Sequence, residues 1–248
     1  MAAPYDSYNY QAYWENRSYE DDCERLALTK LFKKLKLRES LVDIGGGFGR
    51  LSDCYCPRFK KCLVLDPSQK LLKIGRQKTK AKNLSFRLGS LPNLPLKDKS
   101  FAVALLIRVS HHLPQLLPTL KEIHRILKKD GFVVIEVANK IHFPARIKAF
   151  FKGDFNFVRD WRPVERRSPE YISQKTIAFS NHHPQKVVND LKKTGFLIVE
   201  MLSVSNFRSP LLKKVFPESF LLFLEKKTQE LLAKFFFGPS IFILAKKE

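Results

Sequence analysis

The sequence predicts an α/β fold: a mostly parallel, seven-stranded sheet with helices on both faces. Three observations carry this reading. Short apolar runs alternate with segments of helical spacing along most of the 248 residues. The first apolar run passes straight into a glycine-rich turn. The fourth run, 101–107, is apolar throughout instead of alternating, as a strand buried on both faces requires.

Taken in order, the first 40 residues form a helical lead-in. Residues 41–44 are the first strand, and 62–65 the second, closed by Asp66-Pro67. Ser68 caps a helix running to about Lys80. Residues 84–88 are the third strand and 101–107 the fourth. Apolar residues at 116, 117, 120, 123, 126 and 127 have helical spacing, so 116–129 is expected to be one helix. Asp130-Gly131 ends it, and 132–137 is the fifth strand. Residues 140–183 interrupt the alternation with an insertion rich in Phe, Trp and Arg, expected to form a lid or substrate cap. In this architecture, loops beyond the strand C-termini build the site. Pro184 opens a helix that Gly195 stops, and 196–199 and 241–244 are two further strands. The organisation is a lead-in or lid at 1–40, a core at 41–139, the insertion at 140–183, and 184–248 completing the same domain.

Lys and Arg number 45 against 24 acidic residues, a formal charge of +21 that favours anionic partners. The cations are dispersed. Residues 69–97 hold Lys70, Lys73, Arg76, Lys78, Lys80, Lys82, Arg87 and Lys97 with no acid among them. A second stretch runs from Lys140 to Lys175, and a third set includes Lys213, Lys214, Lys226, Lys227 and Lys234. A solvated Lys-rich surface accounts for most of this; nucleic acid or an anionic membrane surface are partners it also admits. Cys23, Cys54, Cys56 and Cys62 form neither a disulfide framework nor a zinc pattern. The N-terminus lacks a secretory pattern, and no apolar run approaches the length of a membrane span. A cytoplasmic protein with no transmembrane segment is expected. Residues 219–237, apolar with interspersed Lys, are expected to pack within the C-terminal part, with contact to a lipid surface or a hydrophobic acceptor as the other reading.

The most informative segment is Leu41-Val42-Asp43-Ile44-Gly45-Gly46-Gly47-Phe48-Gly49-Arg50. Glycines let the backbone turn tightly and approach a ligand. A dinucleotide fingerprint beginning at Gly45 requires Gly or Ala where Arg50 stands, which disfavours a Rossmann oxidoreductase. The sequence instead reads Asp-x-Gly-x-Gly-x-Gly at 43, 45, 47 and 49. Asp66 ends the next strand, where a carboxylate can accept from both hydroxyls of a ribose cis-diol. There follow Leu88-Gly89-Ser90-Leu91-Pro92, Asp98-Lys99-Ser100-Phe101, Arg108-Val109-Ser110-His111-His112-Leu113, and Leu120 through Phe132.

This succession, over roughly residues 41–138, resembles the class I S-adenosylmethionine-dependent methyltransferases, specifically the methyltransferase type 11 branch. The resemblance implies a Rossmann-like fold, S-adenosyl-L-methionine as cofactor, and methyl transfer by in-line displacement. It implies cofactor contacts from Asp43, Gly45, Gly46, Gly47, Gly49, Asp66, Pro67, Ser90, Leu91 and Arg108. Two positions depart from the family. Ser90-Leu91 stands where an acid followed by Ala is usual, and Ala102 replaces an Asp often found after the aromatic of the fourth strand.

The motif predicts the cofactor better than the acceptor, because alignment of the acceptor is the chief requirement. His111 and His182 are the candidates for a catalytic base, although His111-His112 mostly forms a packing signature in the family. Tyr13, Arg17 and Tyr19 of the lead-in, with His182 and His183 before the helix at Pro184, are the candidate substrate contacts. The two His pairs lack an acid or Cys at ligand spacing, so no metal is expected. The expected reaction is methylation of a small molecule, lipophilic, quinone-like or sugar-derived. The alternatives are an RNA or tRNA methyltransferase, and a non-catalytic binding protein that keeps the fold.

Overall fold

The computed structural model describes residues 10–15, 17–173 and 177–248; Asn16 and Lys175 lie outside them. Its strands are β1 (Ser40–Ile44), β2 (Lys61–Asp66), β3 (Leu84–Leu88), β4 (Phe101–Leu106), β5 (Leu127–Ala138), β6 (Val164–Glu165), β7 (Ser180–Asn181), β8 (Phe196–Val204) and β9 (Ser240–Lys247). Seven of them form one sheet in the order β3-β2-β1-β4-β5-β9-β8, and β6 and β7 form a separate ribbon. β1 to β5 are parallel, while β9 runs antiparallel to β5 and β8. The strand order reverses beside β1, which has β2 on one side and β4 on the other. A crevice at such a switch point is where open α/β sheets take their ligands.

The helices are α1 (Tyr10–Glu15), α2 (Ser18–Lys33), α3 (Ser52–Tyr55), α4 (Gln69–Lys78), α5 (Leu117–Ile126), α6 (Phe143–Phe151), α7 (Pro169–Ser173), α8 (Pro184–Lys193), α9 (Pro210–Val215) and α10 (Glu218–Ala233). Alternation along the strands supplies two cores. Leu41, Val103 and Leu105 point to the face covered by α2 and α10. Val42, Ile44, Ala104 and Leu106 point to the face covered by α5 and α8. The helices lie on both faces of the sheet, as the sequence predicts.

Several element boundaries differ: β8 and β9 run beyond 196–199 and 241–244, and α5 gives way early to β5. The helical spacing extends to residue 129, yet α5 stops at Ile126 and Leu127 begins β5, pairing with Phe101. The N–H groups of Lys99 and Ser100 donate to the carbonyls of Arg125 and Ile126, at 3.0 and 2.8 Å. Those carbonyls are thereby satisfied outside the helix, and sheet pairing overrides local periodicity. Ser68 does cap α4, its hydroxyl accepting from the Leu71 N–H at 3.1 Å. α10 buries the stripe Leu221, Glu225, Gln229 and Ala233 and leaves Phe223 and Leu231 exposed. The expected packing of 219–237 holds for that stripe, while the other side of α10 is exposed.

Candidate active site

An open cleft with about 870 Å³ of empty space lies at the C-terminal ends of β1, β2, β3 and β4. Ile44, Gly45 and Gly47 line it from β1 and its turn; Leu65, Asp66 and Pro67 from β2; Leu71 from α4. Gly89, Ser90 and Leu91 follow β3, and Arg108, Val109, His112 and Leu113 follow β4. Its walls are thus largely apolar, with Asp66 as the acid among them.

Gly45 and Gly46 have no room for side chains. Gly45 has φ +72°, and a Cβ there would meet Val109 Cγ2 at 2.4 Å. A Cβ on Gly46 would meet the Asp43 carboxylate at 2.6 Å. Asp43, Gly46 and Gly49 therefore form the back of the turn and do not line the cleft. Tyr55 donates its hydroxyl to Asp43 Oδ2 at 3.2 Å. Burial pushes the Asp43 carboxyl up to about 7; the Tyr55 bond works against this and the Asp66 charge adds to it.

Asp66 organises the cleft from its centre. Its Oδ2 accepts from the Gly47 N–H at 2.9 Å, and its Oδ1 from the Ser68 N–H at 2.8 Å. One carboxylate thus fixes both the glycine turn and the start of α4. The carboxylate also lines the cleft, where a ribose diol would meet it. The glycine turn, the strand-ending carboxylate and the apolar walls fit the adenosyl portion of S-adenosyl-L-methionine.

Arg108 also lines the cleft, at φ 60°, with its backbone N–H donating to Glu136 Oε2 at 3.2 Å. Its guanidinium does not project freely. It pairs at 2.6 Å with Glu24 of α2, a fully buried carboxylate, and the other oxygen of Glu24 pairs with Arg50. Burial opposes the charge on Arg108, but Glu24 and Glu136 more than offset it and raise its pKa. Trp14 of α1 lies over this group, its ring centre 3.6 Å from the Arg50 guanidinium carbon and 5.5 Å from that of Arg108. Nothing in the sequence pointed to Glu24. Of this cluster the sequence pointed to Arg108, as a cofactor contact, and to Trp14 only as part of the aromatic lead-in.

The lead-in and the histidines require corrections. Tyr19 is fully buried, and its hydroxyl donates to Glu225 Oε2 of α10 at 3.1 Å, so it is a strut of the core instead of a substrate contact. Tyr13 and Arg17 stack on each other, 4.2 Å from guanidinium carbon to ring centre, outside the cleft lining. His183 uses both ring nitrogens structurally: Nε2–H donates to the Val158 carbonyl, and Nδ1 accepts from the Gln185 N–H that opens α8. His182 Nε2–H donates to the Ser110 carbonyl at 3.0 Å. His111 packs its ring against Phe179 at 4.5 Å, and burial holds its pKa well below the ordinary value. None of these three lines the cleft; His112 does, with Nδ1–H donating to the Ala178 carbonyl at 2.8 Å. Among the described residues of the insertion, Ile177 alone lines the cleft, and the aromatic segment around α6 is not part of that lining. Among the described residues no group of three or more His, Cys, Asp or Glu is placed to hold a metal ion.

Comparison with known proteins agrees with this geometry. The family described as methyltransferase domain matches residues 42–135. An uncharacterized protein of Methanocaldococcus jannaschii is 30% identical over 221 residues, covering 80% of this chain and 94% of that relative. A demethylmenaquinone methyltransferase of Staphylococcus epidermidis is 35% identical over 130 residues, about half of each chain at 49% and 52%. The crystal structure of an S-adenosylmethionine-dependent methyltransferase from Mesorhizobium loti superimposes with a TM-score of 0.60, covering 91% of this chain and 98% of that one at 17% identity, which establishes the shared fold.

Proposed function

We propose that this chain, which belongs to the type 11 branch of the class I S-adenosylmethionine-dependent methyltransferases, methylates a small, partly apolar acceptor. The cofactor supplies an electrophilic sulfonium methyl group for in-line displacement. Asp66 accepts from the ribose hydroxyls, and Gly45 and Gly47 allow the backbone to approach the ligand closely. Ser90 and Leu91 border the base, and Arg108 lies on the side of the methionine moiety. The N-terminal lead-in is held over this side of the core by Trp14 on Arg50 and by Glu24 on Arg108.

The observation that carries the acceptor reading is the composition of the remaining wall. Val109, Leu113 and Ile177 line the cleft together with His112, so an acceptor meets an apolar slot with one imidazole edge. Such a slot orients a ring or short chain and offers little to a phosphodiester backbone. The demethylmenaquinone methyltransferase relative supports an aromatic or quinone-like acceptor. The four cysteines, all free and buried, suit a reducing cytoplasmic setting.

The test is incubation of the purified chain with methyl-labelled S-adenosyl-L-methionine and a fractionated cell extract. Label entering organic-soluble small molecules supports the proposal. Label confined to RNA or protein refutes the acceptor class while leaving the enzyme class intact.

A further inference from the structure

We propose that the aromatic segment of the insertion is a docking surface for an anionic lipid bilayer. This inference is independent of which acceptor is methylated. α6 buries only Ala149. Phe150, Phe151 and Phe155 are 64%, 81% and 74% exposed, a concentration of large apolar side chains that a solvated helix does not require. Between α6 and the loop after it lies an open hollow lined by Phe143, Ile147, Phe157 and Val158.

The same face continues onto the end of α10. The Phe143 N–H donates to the Phe237 carbonyl at 2.9 Å, and the two rings stack with centres 4.9 Å apart. Arg146 donates to the Phe235 carbonyl, and Phe235 is itself exposed. The apolar surface is therefore built from two elements locked together.

Charge selects the occupant. Lys140 is buried on Asp160 and Asp154 lines the hollow, but Arg146, Lys148 and Lys152 stand on α6 and its end with no acid between them. Lys148 and Lys152 are exposed on either side of Phe150 and Phe151. Lys234 lies beside Phe235 in the chain and is exposed as well. Rings that enter the acyl boundary, flanked by long cationic side chains that reach phosphate, are the chemistry of an interfacial anchor on acidic lipid. Single-stranded RNA stacks its bases on ring faces, but Phe150 packs edge-on against Phe151 and Phe155, with centres 5.7 and 6.0 Å apart, and the exposed Ile147 beside them offers no stacking face, so the bilayer is the better match.

The experiment is flotation of the full chain with vesicles of phosphatidylcholine alone, or phosphatidylcholine doped with phosphatidylglycerol, at low and high salt. The wild-type chain is expected to float with the acidic vesicles, less at high salt, and not with the neutral ones. The variant Phe150→Ser/Phe151→Ser/Phe155→Ser is expected to bind at least about tenfold more weakly, with its melting temperature and S-adenosylhomocysteine affinity unchanged because all three rings are exposed. Should that variant melt lower, Lys148→Glu/Lys152→Glu, which leaves the rings in place, is expected to reduce flotation in the same direction. Failure of the wild type to float overturns the proposal. So does equal flotation of wild type and a folded triple variant, or selective binding of a single-stranded RNA with no vesicle binding. A wild-type dimer that the triple variant converts to monomer, without vesicle binding, overturns it in favour of self-association.

Discussion

Asp66→Asn separates the two tasks assigned to one carboxylate. In the wild type its oxygens accept the backbone N–H groups of Gly47 at 2.9 Å and of Ser68 at 2.8 Å. Asparagine offers one acceptor oxygen, so the other N–H faces an NH₂ group. Loss of one charge-assisted bond in a buried setting costs about 1.5–3 kcal/mol of stability. For a chain of this size that lowers the melting temperature by roughly 3–12 °C. The same neutralisation removes the charged acceptor for a ribose diol, which weakens cofactor binding by roughly 10- to 100-fold. Calorimetry with S-adenosylhomocysteine, alongside thermal unfolding, measures both effects. Ser68→Ala is the control. It deletes the hydroxyl that caps α4 through the Leu71 N–H, costs about 1 kcal/mol, and leaves the diol acceptor in place. If Asp66→Asn binds the ligand within about twofold of wild type, or Ser68→Ala loses as much affinity as Asp66→Asn, the carboxylate is only a brace for the turn.

Three further perturbations test the surrounding framework. Gly45→Ala must adopt φ +72° with its Cβ 2.4 Å from Val109 Cγ2; backbone strain alone is about 1–2 kcal/mol, and ligand affinity should fall with it, so a variant with wild-type melting and binding contradicts the packed turn. Glu24→Ala leaves Arg50 and Arg108 without their shared buried partner; urea unfolding should show a loss of about 3–5 kcal/mol, and a loss below about 1 kcal/mol would mean that solvent replaces it. Asp43 is held protonated by burial to about pH 7 in the fold, whereas the unfolded chain releases that proton near the ordinary carboxylate value. Its contribution is therefore present below about pH 4 and is lost as pH rises towards 7, by at most about 4 kcal/mol. Asp43→Asn should flatten the pH dependence of the urea midpoint over that window, and an unchanged slope refutes the buried acid.

The parts of the molecule legible in the sequence are those set by neighbours along the chain. The order of strands and helices follows from apolar periodicity, and the glycine turn follows from the spacing of Asp43, Gly45, Gly47 and Gly49. Asp66 was visible because it ends an apolar run. The end of α5 was not, because the hydrogen bonds that terminate it come from Lys99 and Ser100 in the turn before β4. The histidine pairs were ambiguous for the same reason. Nothing local to His183 announces that the Val158 carbonyl occupies its Nε2, and nothing local to His112 announces that it faces the cleft. Tyr19 shared an aromatic segment with Trp14, yet its face of α2 turns toward Glu225, 206 residues away. Ile177 reaches the cleft only through the return path of the insertion. Contacts made over such separations leave no mark in a local pattern.

The grip of Glu24 on Arg50 and Arg108 has a thermodynamic corollary. Those arginines stand on the turns after β1 and β4, the opposing walls of the crevice, so fraying of α2 and parting of the walls are a single event. Any ligand wedged between the walls raises the free energy of that event by the logarithm of its saturation. Filling the crevice therefore slows amide exchange in α1 and α2, although none of their described residues is part of its lining.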